Sequence, residues 1–290
     1  MSRFITHRTT EINGYNVFYR EAGPADAPVL LLPHGYPCSS FEYRNFMYEM
    51  SDKWRLLAPD FPGFGYSDTP EDFAYTFDGY ADFLDQFTAK LQLERFGLYL
   101  HDYGSQIGLR LAIKKPERIT SLIVQNGDIY EDQLGPKYDG LREYWANPTP
   151  QGRQKLGQAV NEEGFRDEFI GEVSDEVARR LSPDLWKLSW SLLQSPKRRE
   201  IMVGLMEGLK ENLAWFPKYQ AYLREHQPLT LIVWGPQDGY MPEGSAKAYL
   251  RDLPNAELHL LDDGGHWLLE THLDKIVGLV RQFMMQVPAE

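Results

Sequence analysis

Short, uninterrupted apolar runs alternate along most of the chain with longer stretches whose apolar residues recur every three or four positions. The runs Pro28-Val29-Leu30-Leu31-Leu32-Pro33, Trp54–Pro59, Gly97–Leu100, Ile119–Val124, Leu229–Trp234 and Glu257–Leu261 have the length and composition of strands covered on both faces. Between them, Phe77, Tyr80, Leu84, Phe87 and Leu91 keep helical spacing and predict an amphipathic helix over Thr76–Leu91. Leu109-Arg110-Leu111-Ala112-Ile113 predicts another helix. Strand following helix in this way predicts an α/β fold, with a mostly parallel sheet carrying helices on both faces. The first ~35 residues alternate as strands do, and Asn13-Gly14 between two such runs predicts a tight hairpin, because both residues tolerate positive φ.

The rhythm changes between residues 129 and 225. Strand-like runs vanish, and charged helical stretches with scattered aromatics (Tyr144, Trp145, Trp186, Trp190, Trp215, Tyr219) replace them. The expected organisation is therefore an α/β core formed by residues 1–128 and 226–290, with 129–225 inserted as a helical cap.

Composition narrows the partners. Asp and Glu number 42 against 30 Lys and Arg, a formal net charge of −12. That balance argues against nucleic-acid or anionic-membrane surfaces and leaves a small apolar molecule as the expected partner. The single cysteine, Cys38, excludes an internal disulfide and a cysteine metal cluster, and no metal or other cofactor is expected. The start, Met1 to Arg8, lacks the apolar stretch of a signal peptide, and no apolar run reaches membrane-spanning length. Cytoplasmic residence and a monomer or homodimer are the expectations.

Candidate chemistry gathers where strands end. In Leu98-Tyr99-Leu100-His101-Asp102-Tyr103-Gly104-Ser105, a buried strand gives way to a helix, so Asp102 occupies a sharp strand-to-helix turn. An aspartate there is a helix N-cap or a nucleophile. As a nucleophile, a carboxylate displaces a leaving group from an sp³ carbon and becomes an ester. Asp238 in Gly235-Pro236-Gln237-Asp238 and His266 in Gly264-Gly265-His266-Trp267 follow two later strands. A neutral imidazole is the natural base for activating water against such an ester, and a carboxylate on its other nitrogen fixes the tautomer. Ester hydrolysis passes through an oxyanion, for which the backbone N–H groups of Tyr36 and Tyr103 are the candidate donors. The His34-Gly35 pair before Tyr36 is on its own an ordinary turn. His7, His226, His259 and His272 lie in no motif, whereas His101, beside the nucleophile, is expected to point away from the site or to tune it.

With these pieces in place, the chain resembles the α/β-hydrolase superfamily, and within it the aspartate-nucleophile branch of epoxide hydrolases and haloalkane dehalogenases. The stretches that carry the resemblance are His34-Gly35-Tyr36-Pro37, Asp60-Phe61-Pro62-Gly63-Phe64-Gly65-Tyr66-Ser67, the Asp102-Tyr103-Gly104 turn, Trp234-Gly235-Pro236-Gln237-Asp238 and Gly265-His266-Trp267. The order nucleophile, acid, histidine is that of the superfamily. Some relatives place the acid one strand earlier, which makes Asp128 the competing candidate to Asp238. Two departures stand out: Leu100 lies two before the nucleophile, where the family usually has a small residue, and Tyr36 and Tyr103 replace the Asn and Trp that hold halide in dehalogenases. The resemblance implies a cofactor-independent hydrolase that opens epoxides to diols, with hydrolytic dehalogenation as the alternative. A cofactor-free, luciferase-like oxygenase and a non-catalytic ligand receptor are further alternatives. It also implies cap tyrosines that protonate the epoxide oxygen, with Tyr130, Tyr138, Tyr144 and Tyr219 as candidates.

Overall fold

A computed structural model describes residues 4–288; Met1, Ser2, Arg3, Ala289 and Glu290, and with them part of the expectation drawn from the chain's start, lie outside the described residues. Eight strands form one sheet in the order β1-β2-β4-β3-β5-β6-β7-β8. Their ranges are β1 Ile5–Ile12, β2 Tyr15–Ala22, β3 Val29–Leu31, β4 Arg55–Pro59, β5 Phe96–His101, β6 Ile119–Gln125, β7 Thr230–Trp234 and β8 Glu257–Leu260. The first two form the hairpin expected at Asn13-Gly14, whose φ values of 51° and 85° are those the turn requires. From β4 to β8 every pairing is parallel, and β2 joins β4 antiparallel.

Every residue of β5 and β7 is buried. Successive side chains there enter two separate cores, as the two-residue period of a strand dictates. Leu98, Leu100, Val124 and Ile232 face one core, while Tyr99, Ile123, Leu231 and Val233 face the other. Helix α1 (Arg44–Met50) and the C-terminal helix Leu273–Met284 cover the second face with Phe46, Met47, Ile276 and Val280. The first face is covered by α2 (Phe77–Lys90), capped by the Thr76 side chain on Gly79 N–H, and α3 (Asp102–Lys114).

Seven helices fill the segment between β6 and β7: α4 Asp139–Ala146, α5 Pro150–Ala159, α6 Glu162–Ile170, α7 Asp175–Ala178, α8 Asp184–Leu193, α9 Pro196–Leu213 and α10 Phe216–His226. Phe165, Phe169, Leu185 and Leu205 of this helical insert share one core with α2, α3 and the sheet, and the insert packs on α2 and α3 through α9 and α10. Among the described residues no helix is long and apolar enough to cross a membrane.

Candidate active site

The turn between β5 and α3 is built on a left-handed residue. Asp102 has φ +48°, a region that costs most L-residues about 1–2 kcal/mol and that Asp tolerates better than most. Neighbours hold it there: Asp102 N–H donates to Asn126 O at 3.1 Å. The extended His101, not Asp102, takes the N-cap position of α3, and neither side chain caps the helix. Asp102 Oδ1 instead accepts the Tyr36 N–H at 2.6 Å. Gly35 makes that approach possible, since a Cβ there would lie 2.5 Å from Asp102 Cβ. Leu100, the bulky residue two positions before the turn, also has a physical explanation. A Cβ on Gly108 would lie 2.5 Å from Leu100 Cδ2, so the missing side chain on the helix provides the room that a small residue on the strand would otherwise supply.

Three loops at the strands' C-terminal ends bring Asp102, His266 and Asp238 together. His266 Nε2 lies 3.5 Å from Asp102 Oδ2, and His266 Nδ1 lies 2.7 Å from Asp238 Oδ2. Asp238 accepts three further hydrogen bonds, from Asn126 Nδ2 at 2.8 Å and from the N–H groups of Tyr240 and Met241 at 2.9 and 3.0 Å. A carboxylate so fully supplied with donors is poised to hold His266 in one orientation with Nδ1 protonated. Asp128 has a different place. Its Oδ1 accepts from Gln106 Nε2 at 2.9 Å, and burial pushes its carboxyl up to about 7. Asp238 rather than Asp128 therefore faces the histidine.

The electrostatics of the cluster follow from two carboxylates around one imidazole. Burial alone would lower the His266 proton affinity, but Asp238 and Asp102 raise it well above the ordinary histidine range. Burial would likewise raise Asp102, yet the hydrogen bond and charge of His266, with His101 and the Tyr36 N–H, hold its carboxyl below its usual value. Asp238 is lowered against the same burial penalty, by His266, Asn126 and Met241 N–H. The Tyr103 N–H sits in the first turn of α3, where no helical carbonyl can satisfy it, and so it remains available beside Tyr36 N–H. The arrangement can present a carboxylate oxygen to an electrophile, donate two N–H groups to a developing oxyanion and activate a water at His266 Nε2.

A cavity of about 460 Å³ opens onto these residues, within the usual range for small-molecule sites. Of the four tyrosines expected from the insert, Tyr138 and Tyr144 line it, and the Tyr144 phenol hydrogen-bonds Glu207. The expectation for Tyr130 and Tyr219 is corrected. Tyr130 O–H donates to Asp252 Oδ2 at 2.7 Å, and the Tyr219 phenol is enclosed with Arg110 and Asn212, so neither reaches the cavity wall. Both phenols serve packing networks that join the insert's ends to the core.

Several residues that position the cluster carried no motif. His101 Nε2 and Gln125 Nε2 both meet His266 O, at 3.0 and 3.2 Å, and fix the histidine's backbone from β5 and β6. Asn126, at φ +38°, bridges Asp238 and both backbone groups of Gly235. A polar pair at a strand's C-terminal end, Gln125-Asn126, was the only available signal. His34 proves structural: Nε2 accepts Phe61 N–H at 3.1 Å and Nδ1 meets Gly35 O at 3.0 Å, tying two loops together. In the cavity wall the unforeseen groups are Tyr240, Glu168 and Lys137. Among the described residues no cluster of His, Cys, Asp and Glu is arranged to hold a metal ion.

Comparison with known proteins agrees with this architecture. A family model described as alpha/beta hydrolase fold matches residues 28–273. An uncharacterized hydrolase of Saccharomyces cerevisiae is 34% identical over 272 residues, covering 92% of each chain. Two solved structures share the fold: the epoxide hydrolase CorEH (TM-score 0.79, 18% identity, 98% of this chain and 100% of that one), and a haloalkane dehalogenase from Bradyrhizobium elkani (TM-score 0.76, 21% identity, 97% and 99%).

Proposed function

The chain belongs to the alpha/beta hydrolase family, and from that premise we propose that it is a cofactor-independent hydrolase that forms a covalent ester on Asp102 and opens epoxides to diols. One observation carries this reading: the side chain in the left-handed turn before α3 is a carboxylate, held on Oδ1 by Tyr36 N–H and open to the cavity beside His266. A serine at that place would acylate, whereas a carboxylate is suited to displacement at an sp³ carbon.

The two half-reactions make opposite demands on His266, and the charges around it meet both. While Asp102 is ionised, two carboxylates keep the imidazole protonated, and its charge in turn keeps the nucleophile ionised. Attack on the substrate carbon turns Asp102 into a neutral ester and removes one of those two charges. His266 then releases its proton more easily, replacing in the cavity the one that the ring-opened oxygen has taken up, and becomes a base at the step where one is needed. It activates a water, the water adds to the ester carbonyl, and Tyr36 N–H and Tyr103 N–H hold the oxyanion. Asp238 keeps the imidazole oriented and stabilises its cation throughout.

The helical insert acts as the cap, with Tyr138 as its hydrogen-bond donor to the epoxide oxygen. Tyr138 is buried, lines the cavity and lies among Asp128, Tyr103 and Asp102. A second reading, hydrolytic dehalogenation by the same residues, is favoured by the Tyr36 and Tyr103 rings, which stand 5.7 Å apart beside Asp102 as two phenols able to receive a halide. A panel of aryl and alkyl epoxides and primary alkyl bromides separates the two. Diol without halide supports the first, halide release supports the second, and neither product removes both.

A further inference from the structure

Tyr240 and Glu168 form a phenol–carboxyl pair in the cavity wall for which the proposed cycle has so far no use. Tyr240 lies two residues beyond Asp238, and its N–H donates to Asp238 Oδ1 at 2.9 Å. The carboxylate that orients His266 thus also fixes this tyrosine's backbone. The phenol O–H donates to Glu168 Oε1 at 3.1 Å, across from α6. Edge-to-face packing on Tyr138 at 5.3 Å and Lys137 Nζ at 5.1 Å from the ring centroid steady the ring. Glu168 is held in turn: its backbone carbonyl accepts Trp267 Nε1–H at 2.9 Å, and its neighbour Phe169 stacks on Trp267 at 4.3 Å. The pair is therefore tied to the catalytic cluster at two points, Asp238 itself on one side and Trp267, next to His266, on the other.

Resting on the epoxide reading, we propose that Tyr240 donates a proton to the leaving epoxide oxygen and that Glu168 sets whether its O–H is free to do so. As Asp102 attacks carbon and the C–O electron pair moves to oxygen, the Tyr240 O–H proton passes to that oxygen. The resulting phenolate takes the proton of a neutral Glu168. Water later cleaves the Asp102 ester to carboxylate and alcohol and releases one proton, which restores Glu168. When Glu168 is ionised, it holds the phenol's hydrogen as an acceptor and withdraws the donor. Burial pushes the Glu168 carboxyl up to about 6, against the opposing effects of Lys137, His266 and the Tyr240 hydrogen bond, so the exchange falls within a measurable range. The groups facing the pair are Lys137, His266, Asp102, Tyr36, Tyr103 and Tyr138; Asp167 on α6 and Glu172 just beyond it each pair with Lys137 at 3.7 Å. Unlike Tyr138, Tyr240 belongs to the core, so the oxygen would be addressed from both the insert and the sheet.

The opening step is isolated in a His266→Gln background by following Asp102 adduct formation with styrene oxide, using quenched-flow mass spectrometry. Adding Tyr240→Phe is expected to slow the adduct by about 30-fold or more, in the range of general-acid effects. An alkyl bromide, whose leaving group needs no proton, should suffer at least ~10-fold less from the same change. In the His266→Gln parent the opening rate should fall as pH rises through the Glu168 titration, which lies above its native position because the His266 charge that lowers it is gone, and with Glu168→Gln that limb should disappear while Tyr240 remains a donor. An unchanged adduct rate in Tyr240→Phe overturns the donor assignment. A pH limb that survives Glu168→Gln overturns the control by Glu168, and equal losses with epoxide and bromide mark a structural role instead. If the native chain turns over styrene oxide but His266→Gln forms no adduct, it is the covalent reading that falls; if the native chain turns over no epoxide, the reading and this inference fall together.

Discussion

The strand ends and the helical insert hold their cavity side chains by different means. Asp102, Asp238 and His266 are each secured by hydrogen bonds from other strand ends and the loops that follow them: Tyr36 N–H on Asp102, Asn126 on Asp238, His101 and Gln125 on the carbonyl of His266. Those bonds come from the C-terminal ends of β5 and β6 and from the loops just beyond the strands, and the two on the His266 carbonyl reach past β7, so the geometry follows from loops that converge over one end of the sheet. Cavity residues of the insert lean on one another or on single partners, as Tyr144 does on Glu207 within the insert. On the proposed function, chemistry is built on the part of the fold with least freedom, and substrate selection on the part that can vary without disturbing it.

Substitutions can break this contrast, and the largest effect should come from the sheet. Asp102→Asn is expected to reduce turnover by at least about 10⁴-fold, as loss of a covalent nucleophile does. Thermal unfolding should move little, since Asn also tolerates the left-handed turn. A folded, fully active Asn variant, with deamidation excluded by mass, would contradict the assignment. Asp238→Asn should cost about 10²–10⁴-fold in kcat through the wrong imidazole tautomer. Asp128→Asn should cost less, because Asp128 meets Gln106 and Tyr138 and not His266. The reverse order in steady-state kinetics would exchange the two roles. Within the insert, Tyr138→Phe should slow epoxide opening by about 10²-fold. Tyr130→Phe should leave kcat alone and lower stability by about 1 kcal/mol through the bond lost to Asp252. Gly108→Ala is likewise read in stability, since it would push a methyl to within 2.5 Å of Leu100 Cδ2. Overpacking of this kind costs about 1–3 kcal/mol, and Leu100→Ala in the same chain should return part of it in a double-mutant cycle by denaturant melts.

What could be read from the sequence follows the same division. The hairpin at Asn13-Gly14, the helix at Thr76–Leu91 and the buried strands depend on local composition and period, and they lie within a few residues of where those predict. Asp102, Asp238 and His266 were visible because each stands in a short loop after an apolar run. The elbow's tolerance of Leu100 was not visible, because its explanation is a glycine eight residues on that meets Leu100 only after the helix folds back on the strand. The phenols were misjudged for a similar reason. Tyr130 and Tyr219 had the right residue type, but helix packing turns them toward Asp252 and Arg110. Tyr240 sits plainly beside Asp238 in the sequence, yet its partner Glu168 is 72 positions away and belongs to a different element. Contacts of that span are set by how the insert docks, which local pattern does not encode.

The account turns on whether a covalent ester forms on Asp102. In His266→Gln the first displacement should proceed while water activation fails, so substrate should remain bound through an ester bond. Intact-protein mass spectrometry after mixing with an epoxide that the native chain turns over should show one adduct equal in mass to the whole epoxide, and peptide mapping should place it on Asp102. An unmodified protein under those conditions, or label on any other residue, would contradict the account.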